Sequence, residues 1–458
     1  MEATTSNDSE VKKWSDNPLV KVIIIGILIL ILMIPSMMIT SLVQERSSRK
    51  MQVTNEVSSK WGQLQTVTGP YIEIPYLEEI KLNSKLPSEW NEHKLYYFPH
   101  DLVTHGTITP VIKKRSIFKV ILYESNLDIK GSFNYPDLAA LNIAADKIMW
   151  EKATVHVAVT DLSGISTQVN FNIGDTIIPM TAAAPAGINL TNGLMCHLPE
   201  RLVKNEKLDF NIMLNLKGSQ GIYFSPVAGN NKVKMSSSWP SPKFEGQFLP
   251  DTSTINDKGF EASWKILDIN RQITQQWTDV NPQSFQNVSI YRYNDPNGYE
   301  TSAAKTPVFG VELFDTVDQY TKNERTVKYA FLLITLTFAV YFFCEVLKKQ
   351  KVHPLQYGLV GAALVIFFIL LLSLSEHLGF DPAYVVASLA TILLISLYSR
   401  SIFSEKRYAT LVGGLLILLF GFIYIILQLE DFALLAGSIA LFVIIALVMY
   451  LTRKVKWA

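Results

Sequence analysis

The chain has 458 residues, 49% of them hydrophobic and 18% charged, with a formal net charge of +1. That balance, with no basic stripe, excludes a nucleic-acid binder built on charge and selects neither anionic nor cationic ligands. Only two cysteines occur, Cys196 and Cys344; they fall in regions of unlike polarity, so no disulfide is expected between them.

Residues 1–21 form a polar tail ending in Asn17-Pro18 and Lys21. The run from Val22 to Val43 is then apolar throughout, and a bilayer core of about 30 Å needs roughly 20 such residues as helix. It is too long for the apolar region of a secretory signal, and Gln44, Glu45 and Arg46 follow it without a small-residue cleavage pattern, so an uncleaved anchor is expected. Gly26 and Pro35 inside it are tolerated where neighbouring helices satisfy the freed backbone groups. Val53, Val57, Trp61 and Leu64 recur at helical spacing, which predicts a stalk that Gly69-Pro70 ends.

Short runs rich in Val, Ile, Tyr, Phe and Thr follow, bounded by Gly, Pro and Asn, as strands are. Tyr71 to Tyr76, Phe118 to Tyr123, Thr154 to Thr160, Thr167 to Ile173 and Leu208 to Leu216 are such runs. In the last, Leu208, Phe210, Ile212, Leu214 and Leu216 alternate with other residues, which puts one face in a core. Pro136 to Met149 is predicted as a helix, with Leu138, Leu141, Ala145 and Ile148 on one side. The insert, residues 44–326, is thus expected to be a mostly-β domain, sandwich-like or a pair of smaller β units, large enough to bury a core unaided.

Val317 to Lys328 reads as a helix leading into five closely spaced apolar spans at about 327–347, 355–374, 382–399, 408–427 and 432–451. Short connections predict one antiparallel bundle over 327–458. The fold class is therefore an integral membrane α-helical protein with six predicted spans, one plus five, and a large β domain between the first and second.

Orientation is read from the loop charges. Lys12, Lys13 and Lys21 precede the first span, Lys348, Lys349 and Lys351 follow the second, Arg400, Lys406 and Arg407 follow the fourth, and Arg453, Lys454 and Lys456 follow the sixth. The loops Ser375 to Asp381 and Gln428 to Asp431 carry no Lys or Arg. Cationic loops stay in the cytoplasm, so both termini are expected there and the insert outside.

Several local sequences, in order across nearly the whole chain, resemble the CreD family of bacterial inner-membrane proteins. They include Gln44-Glu45-Arg46, Trp61-Gly62, Gly69-Pro70-Tyr71-Ile72-Glu73-Ile74-Pro75-Tyr76, Tyr97-Phe98-Pro99, Arg115-Ser116-Ile117-Phe118-Lys119-Val120 and Thr160-Asp161-Leu162-Ser163-Gly164-Ile165. Ser237-Ser238-Trp239-Pro240-Ser241-Pro242, Gly259-Phe260-Glu261-Ala262-Ser263-Trp264, Val317-Asp318-Gln319-Tyr320, Val352-His353-Pro354-Leu355-Gln356-Tyr357 and Leu374-Ser375-Glu376-His377 continue the series. The resemblance implies a Gram-negative type inner membrane, a periplasmic insert, and a role in envelope stress with altered susceptibility to colicins or β-lactam agents. It brings no catalytic residues.

Candidate chemistry is sparse. Ser375, Glu376 and His377 sit where the third span leaves the membrane and could relay protons or hold a metal; the plainer reading is an interfacial turn, since charge near a helix end costs far less than at the centre. Glu345 near the end of the second span, with His353, Gln356 and Tyr357 at the start of the third, would make a polar cluster joining two helices. His93, His100, Asp101 and His105 lack the spacing of a zinc site, and no G-x-S-x-G elbow marks a nucleophile. The aromatic and proline-rich stretch Ser237 to Pro242 with Phe244, Phe248, Phe260 and Trp264 is either a core corner or a binding surface. Asn189-Leu190-Thr191 and Asn287-Val288-Ser289 match a glycosylation sequon, incidental in a bacterial protein.

No cofactor is expected, and the expected partners are the lipid bilayer and another envelope protein or lipid. The expected function is non-enzymatic, in envelope integrity; handling of a lipid or amphiphile is the alternative, and a membrane-bound hydrolase the weakest one.

Overall fold

The computed structural model describes residues 18–80, 89–184, 192–203, 206–271, 273–280, 307–313, 319–348, 352–403 and 405–428, with four further helical positions between 438 and 449. The chain divides into two compact units, Gln52–Thr316 and Met1–Met51 with Val317–Ala458. A first helix, α1 (Pro18–Trp61), gives its last ten residues to the former and the rest to the latter.

The unit Gln52–Thr316 is built from strands. In chain order these are β1 (Gln65–Ile80), β2 (Glu89–Tyr97), β3 (Asp101–Arg115), β4 (Phe118–Asn134), β5 (Thr154–Val159), β6 (Asn170–Ile173), β7 (Thr176–Pro179), β8 (Thr181–Ala183) and β9 (Gly193–His197). After the one-turn helix α2 (Glu200–Val203) come β10 (Lys207–Ser219), β11 (Gly221–Phe224), β12 (Asn230–Ser237), β13 (Pro242–Gly246), β14 (Thr252–Asn256), β15 (Gly259–Leu267), β16 (Gln276–Thr278) and β17 (Phe309–Leu313). One sheet of nine strands runs β13-β17-β11-β1-β5-β9-β8 with β2 and β16 attached through β1, and one of eight runs β14-β15-β12-β3-β4-β10-β6-β7.

The alternation in β10 is realised, with Leu208, Phe210, Ile212, Leu214 and Leu216 all buried. Those side chains and Leu127, Ile129 and Val233 of one sheet join Ile72, Ile74, Leu95, Val155 and Val157 of the other in a single apolar cluster. Each such side chain contributes roughly 1.5–3 kcal/mol by leaving water, which is what holds the two sheets face to face as a sandwich. The aromatic stretch belongs to this core: Phe260 and Trp264 are buried, and Phe244 packs edge-on against both at 5.9 and 5.7 Å between ring centres.

Two local expectations are corrected. Residues 136–149 are not a helix but turns with a 3-10 turn at Ala145–Lys147. Ile148 bridges to Tyr76 and the Met149 N–H donates to Pro75 O, so pairing to the sheet captures the segment, while Asn142 takes a left-handed backbone. The stalk helix ends at Trp61 rather than at Gly69-Pro70. Gly62, with φ +151°, turns the chain where any Cβ would strike the Lys217 carbonyl, and Gly69-Pro70 instead lies inside β1, where the ladder to β5 shifts register. Leu64 therefore falls outside the helix.

In the other unit, α3 (Gln319–Lys328) and α4 (Ala330–Lys348) meet at a bend of 41° between Gln319–Lys328 and Ala330–Val346. They are followed by α5 (Pro354–Leu378), α6 (Phe380–Ile402) and α7 (Lys406–Gln428), with α5 packed on α6 and α6 on α7. Among the described residues four helices are long and apolar enough to cross a membrane, or five if the bent pair is one span. The sixth expected span, 432–451, lies almost wholly outside the described residues, as do residues 1–17 and both sequons.

The membrane part of α1 has two faces. Leu32, Ser36, Ile39 and Val43 are buried at the three- and four-residue spacing of a helix seam, while Ile27, Leu30, Ile34, Met37 and Met38 are exposed. Leu32 sits over Gly361 of α5, where a larger residue would collide with it.

Candidate functional site

One set of buried ionisable groups lies in the β unit and has no motif in the sequence. Period-two geometry puts Tyr71 and Glu73 on one face of β1, and register sets them opposite His156 and Thr154 of β5. Lys94 of β2 pairs with Pro75, one step along that face. Lys94 Nζ lies 2.7 Å from Glu73 Oε1, and His156 Nε2 lies 3.5 Å from Glu73 Oε2 and 2.9 Å from Thr154 Oγ1. Tyr71 stacks on the imidazole at 5.0 Å between ring centres with 12° between planes. Glu73 and His156 are 7% and 4% exposed.

Burial first, then the electrostatic effect of Lys94 and His197, hold the His156 pKa down at about 4 from its ordinary 6.5. The imidazole is therefore neutral near pH 7. Its Nδ1 and the Glu73 Oε2 have no hydrogen-bond partner among the described residues, so an Nε2–H tautomer donating toward Thr154 suits the contacts best. The Glu73 carboxylate and the Thr154 hydroxyl both face Nε2 of the neutral imidazole, so no proton path runs through the ring from one nitrogen to the other. The three groups are enclosed, and Lys94 neutralises the acid, so the arrangement serves as a buried polar tie between β1, β2 and β5.

A second polar centre is Arg271, 5% exposed. Its guanidinium donates to the carbonyls of Ala228 and Ile273 at 3.0 and 3.1 Å and to Gln275 Oε1 at 2.6 Å. Burial lowers its pKa to about 10, still charged near neutrality.

In the helical unit the four residues expected to cluster separate into two pairs. Glu345, 4% exposed, accepts from Tyr357 Oη at 3.0 Å and Val352 N at 3.1 Å and is ion-paired with Lys21 of α1. His353 and Gln356 instead bond each other as the N-terminal cap of α5: His353 N donates to Gln356 Oε1 at 3.0 Å, and Leu355 N to His353 Nδ1 at 3.2 Å. Nothing in the sequence marked Lys21 as a partner, because 324 positions separate it from Glu345.

Ser375, Glu376 and His377 are adjacent on a helix and so point in three directions. The Ser375 hydroxyl accepts from Asn323 Nδ2 at 2.9 Å, and Glu376 Oε1 accepts from Tyr320 Oη at 3.1 Å with Arg46 Nε of α1 at 3.9 Å. His377 is exposed. Of the histidines set aside as zinc ligands, His93 lies 3.5 Å from Glu78 and 3.4 Å from Asp279, and His100 bonds Asp101 at 3.0 Å. That bond, with one from Asn230, lowers the Asp101 pKa. Among the described residues no three His, Cys, Asp or Glu side chains converge as metal ligands.

A bundle of apolar helices and a two-sheet β unit inserted after the first helix define a multi-pass membrane protein with a large mostly-β domain. The chain belongs to the CreD family: the family model described as inner membrane protein CreD matches residues 17–458. Inner membrane protein CreD of Escherichia coli (strain K12) is 30% identical over 435 residues, covering 94% of this chain and 91% of that protein. The M1 zinc metallopeptidase from Deinococcus radiodurans aligns over 36% of this chain and 38% of its own at 7% identity, with a TM-score of 0.16. A likeness that slight carries no argument about fold or chemistry.

Proposed function

We propose that this inner-membrane protein acts by contact rather than catalysis. In this reading the β domain, residues 44–326, faces the periplasm and engages another component of the envelope, and so contributes to envelope integrity or the response to envelope stress. The observation that carries it is how the ionisable groups are used. Glu73, His156, Arg271, Glu345 and Glu376 are each committed to internal partners that tie elements together. Contact surface is abundant by comparison: Ile269, Leu249 and Ile177 of the β unit are 86%, 73% and 68% exposed.

Photo-crosslinking residues placed at positions 177, 249 and 269 of the full-length protein in intact cells should each be tested under envelope stress. A discrete crosslinked partner from at least one position is expected; no adduct from any of them would overturn the proposal.

A second reading, handling of a lipid or amphiphile at the outer leaflet, is favoured by one arrangement, the half-exposed Arg46 beside the Glu376 carboxylate. Glu376→Gln and His377→Ala would then each abolish function at unchanged protein level. Unchanged function in both variants removes this reading.

A further inference from the structure

The hairpin of β3 and β4 ends in a two-residue turn at Ser116 and Ile117, with Ser116 at φ 56°. Its last rungs pair Lys113 with Val120, Lys114 with Lys119 and Arg115 with Phe118. One face is occupied: Phe118 and Val120 are buried, Arg115 Nη2 lies 3.0 Å from Glu56 Oε1 of α1, and Lys113 Nζ lies 5.1 Å above the Trp61 ring. The other face carries Lys114 and Lys119 directly opposite one another, with Ile112 and Ile121 on the rung behind them. Both lysines are exposed, and Ile112 is 54% exposed.

Like charges directly across an antiparallel ladder repel. No Asp or Glu occurs from Leu102 to Tyr123 to offset this pair, and no ion pair involves Lys114 or Lys119 among the described residues. Cationic heads on long apolar stems, set beside exposed isoleucine, are the chemistry of a bilayer interface rather than of a soluble anion site. The hairpin is anchored on the helix whose first part is the apolar run. Glu56, which holds the hairpin tip through Arg115, is thirteen helical residues beyond Val43, the end of the apolar run, a tether of about 20 Å.

We propose that the tip of the β3–β4 hairpin docks on anionic phospholipid headgroups of the leaflet from which α1 emerges, with Lys114 and Lys119 meeting phosphate and Ile112 and Ile117 entering the interface. The inference holds whichever face of the bilayer the β domain occupies, so it stands apart from the orientation proposed above. It also differs from a protein contact, since the ligand is a surface of negative charge.

The test uses the full-length protein in lipid nanodiscs, with Ser116→Cys carrying an environment-sensitive fluorophore; the native Cys196 and Cys344 are buried. Discs of phosphatidylcholine are compared with discs containing about one third phosphatidylglycerol. A blue-shifted emission is expected in the anionic discs only. It should be reversed by about 0.5 M salt, since exposed charges are then screened within a few ångströms, and absent in K114Q/K119Q. That double variant removes a repulsion and should fold at least as stably. Equal emission in both discs, an unchanged shift in K114Q/K119Q, or the same shift in phosphatidylcholine discs given inorganic phosphate would each overturn the proposal.

Discussion

His156 shows how burial can decide the charge of a single residue. Its carboxylate neighbour Glu73 is already paired with Lys94, so desolvation wins and the imidazole stays neutral in the folded state. The unfolded chain, with His156 at its ordinary 6.5, binds the proton more readily than the folded one at about 4. Its contribution to stability is therefore complete above about pH 6.5 and is lost as pH falls from there toward 4, amounting to about 3 kcal/mol. Denaturant unfolding of the detergent-solubilised protein across that range should show this slope, and His156→Gln should flatten it. Cys196 makes a second residue-level prediction. Burial raises its thiol to about 12, so almost no thiolate exists near pH 7 and maleimide should label it only under denaturing conditions. Rapid labelling of the native protein at this position would contradict the packing described.

Among the elements, α1 is held to the helical unit by an apolar seam and by charge at both ends. Leu32 and Ile39 are buried along its length, Lys21 meets Glu345, and Arg46 lies near Glu376. Removing only one member of this partly buried ion pair strands the other, and the buried partner here is Glu345. Glu345→Leu, which also leaves the Tyr357 hydroxyl and the Val352 N–H without their acceptor, should lower the thermal midpoint clearly, Glu345→Gln less, and Glu345→Leu with Lys21→Met should recover part of the loss. A double variant no better than Glu345→Leu alone would mean that the pair contributes nothing to docking. The start of α5 is legible within a few residues from its apolar run and Pro354, whereas the His353–Gln356 cap emerges only in the structure, the sequence placing both side chains in a cluster between helices. Residues 136–149 depart from their helical pattern because Leu138, Ile143 and Ile148 are buried through a loop joined to the sheet, where tertiary pairing outweighs local periodicity.

For the whole molecule, the asymmetry of Lys and Arg around the spans is the argument for orientation. Fusions of an export-dependent reporter within residues 44–326 and of a cytoplasm-dependent reporter at the C-terminus should both be active, which places the two regions on opposite sides. Activity of the same reporter at both positions would refute the topology. The sandwich also predicts that β strands unfold together, because β1 bonds to β2, β5 and β11 and its side chains sit in the shared core.

What the chain determined unaided is its division into oil-compatible and water-compatible lengths, because the cost of leaving peptide groups and charge in hydrocarbon depends on about 20 consecutive residues and no others. Strand content was legible for the same reason, through alternation within β10. Only the tertiary structure decided which groups meet: Glu73 with His156, Lys21 with Glu345, Lys114 across from Lys119. Those meetings depend on sheet register and helix packing, which sum weak preferences over the whole chain, and no window of sequence contains both partners of the first two.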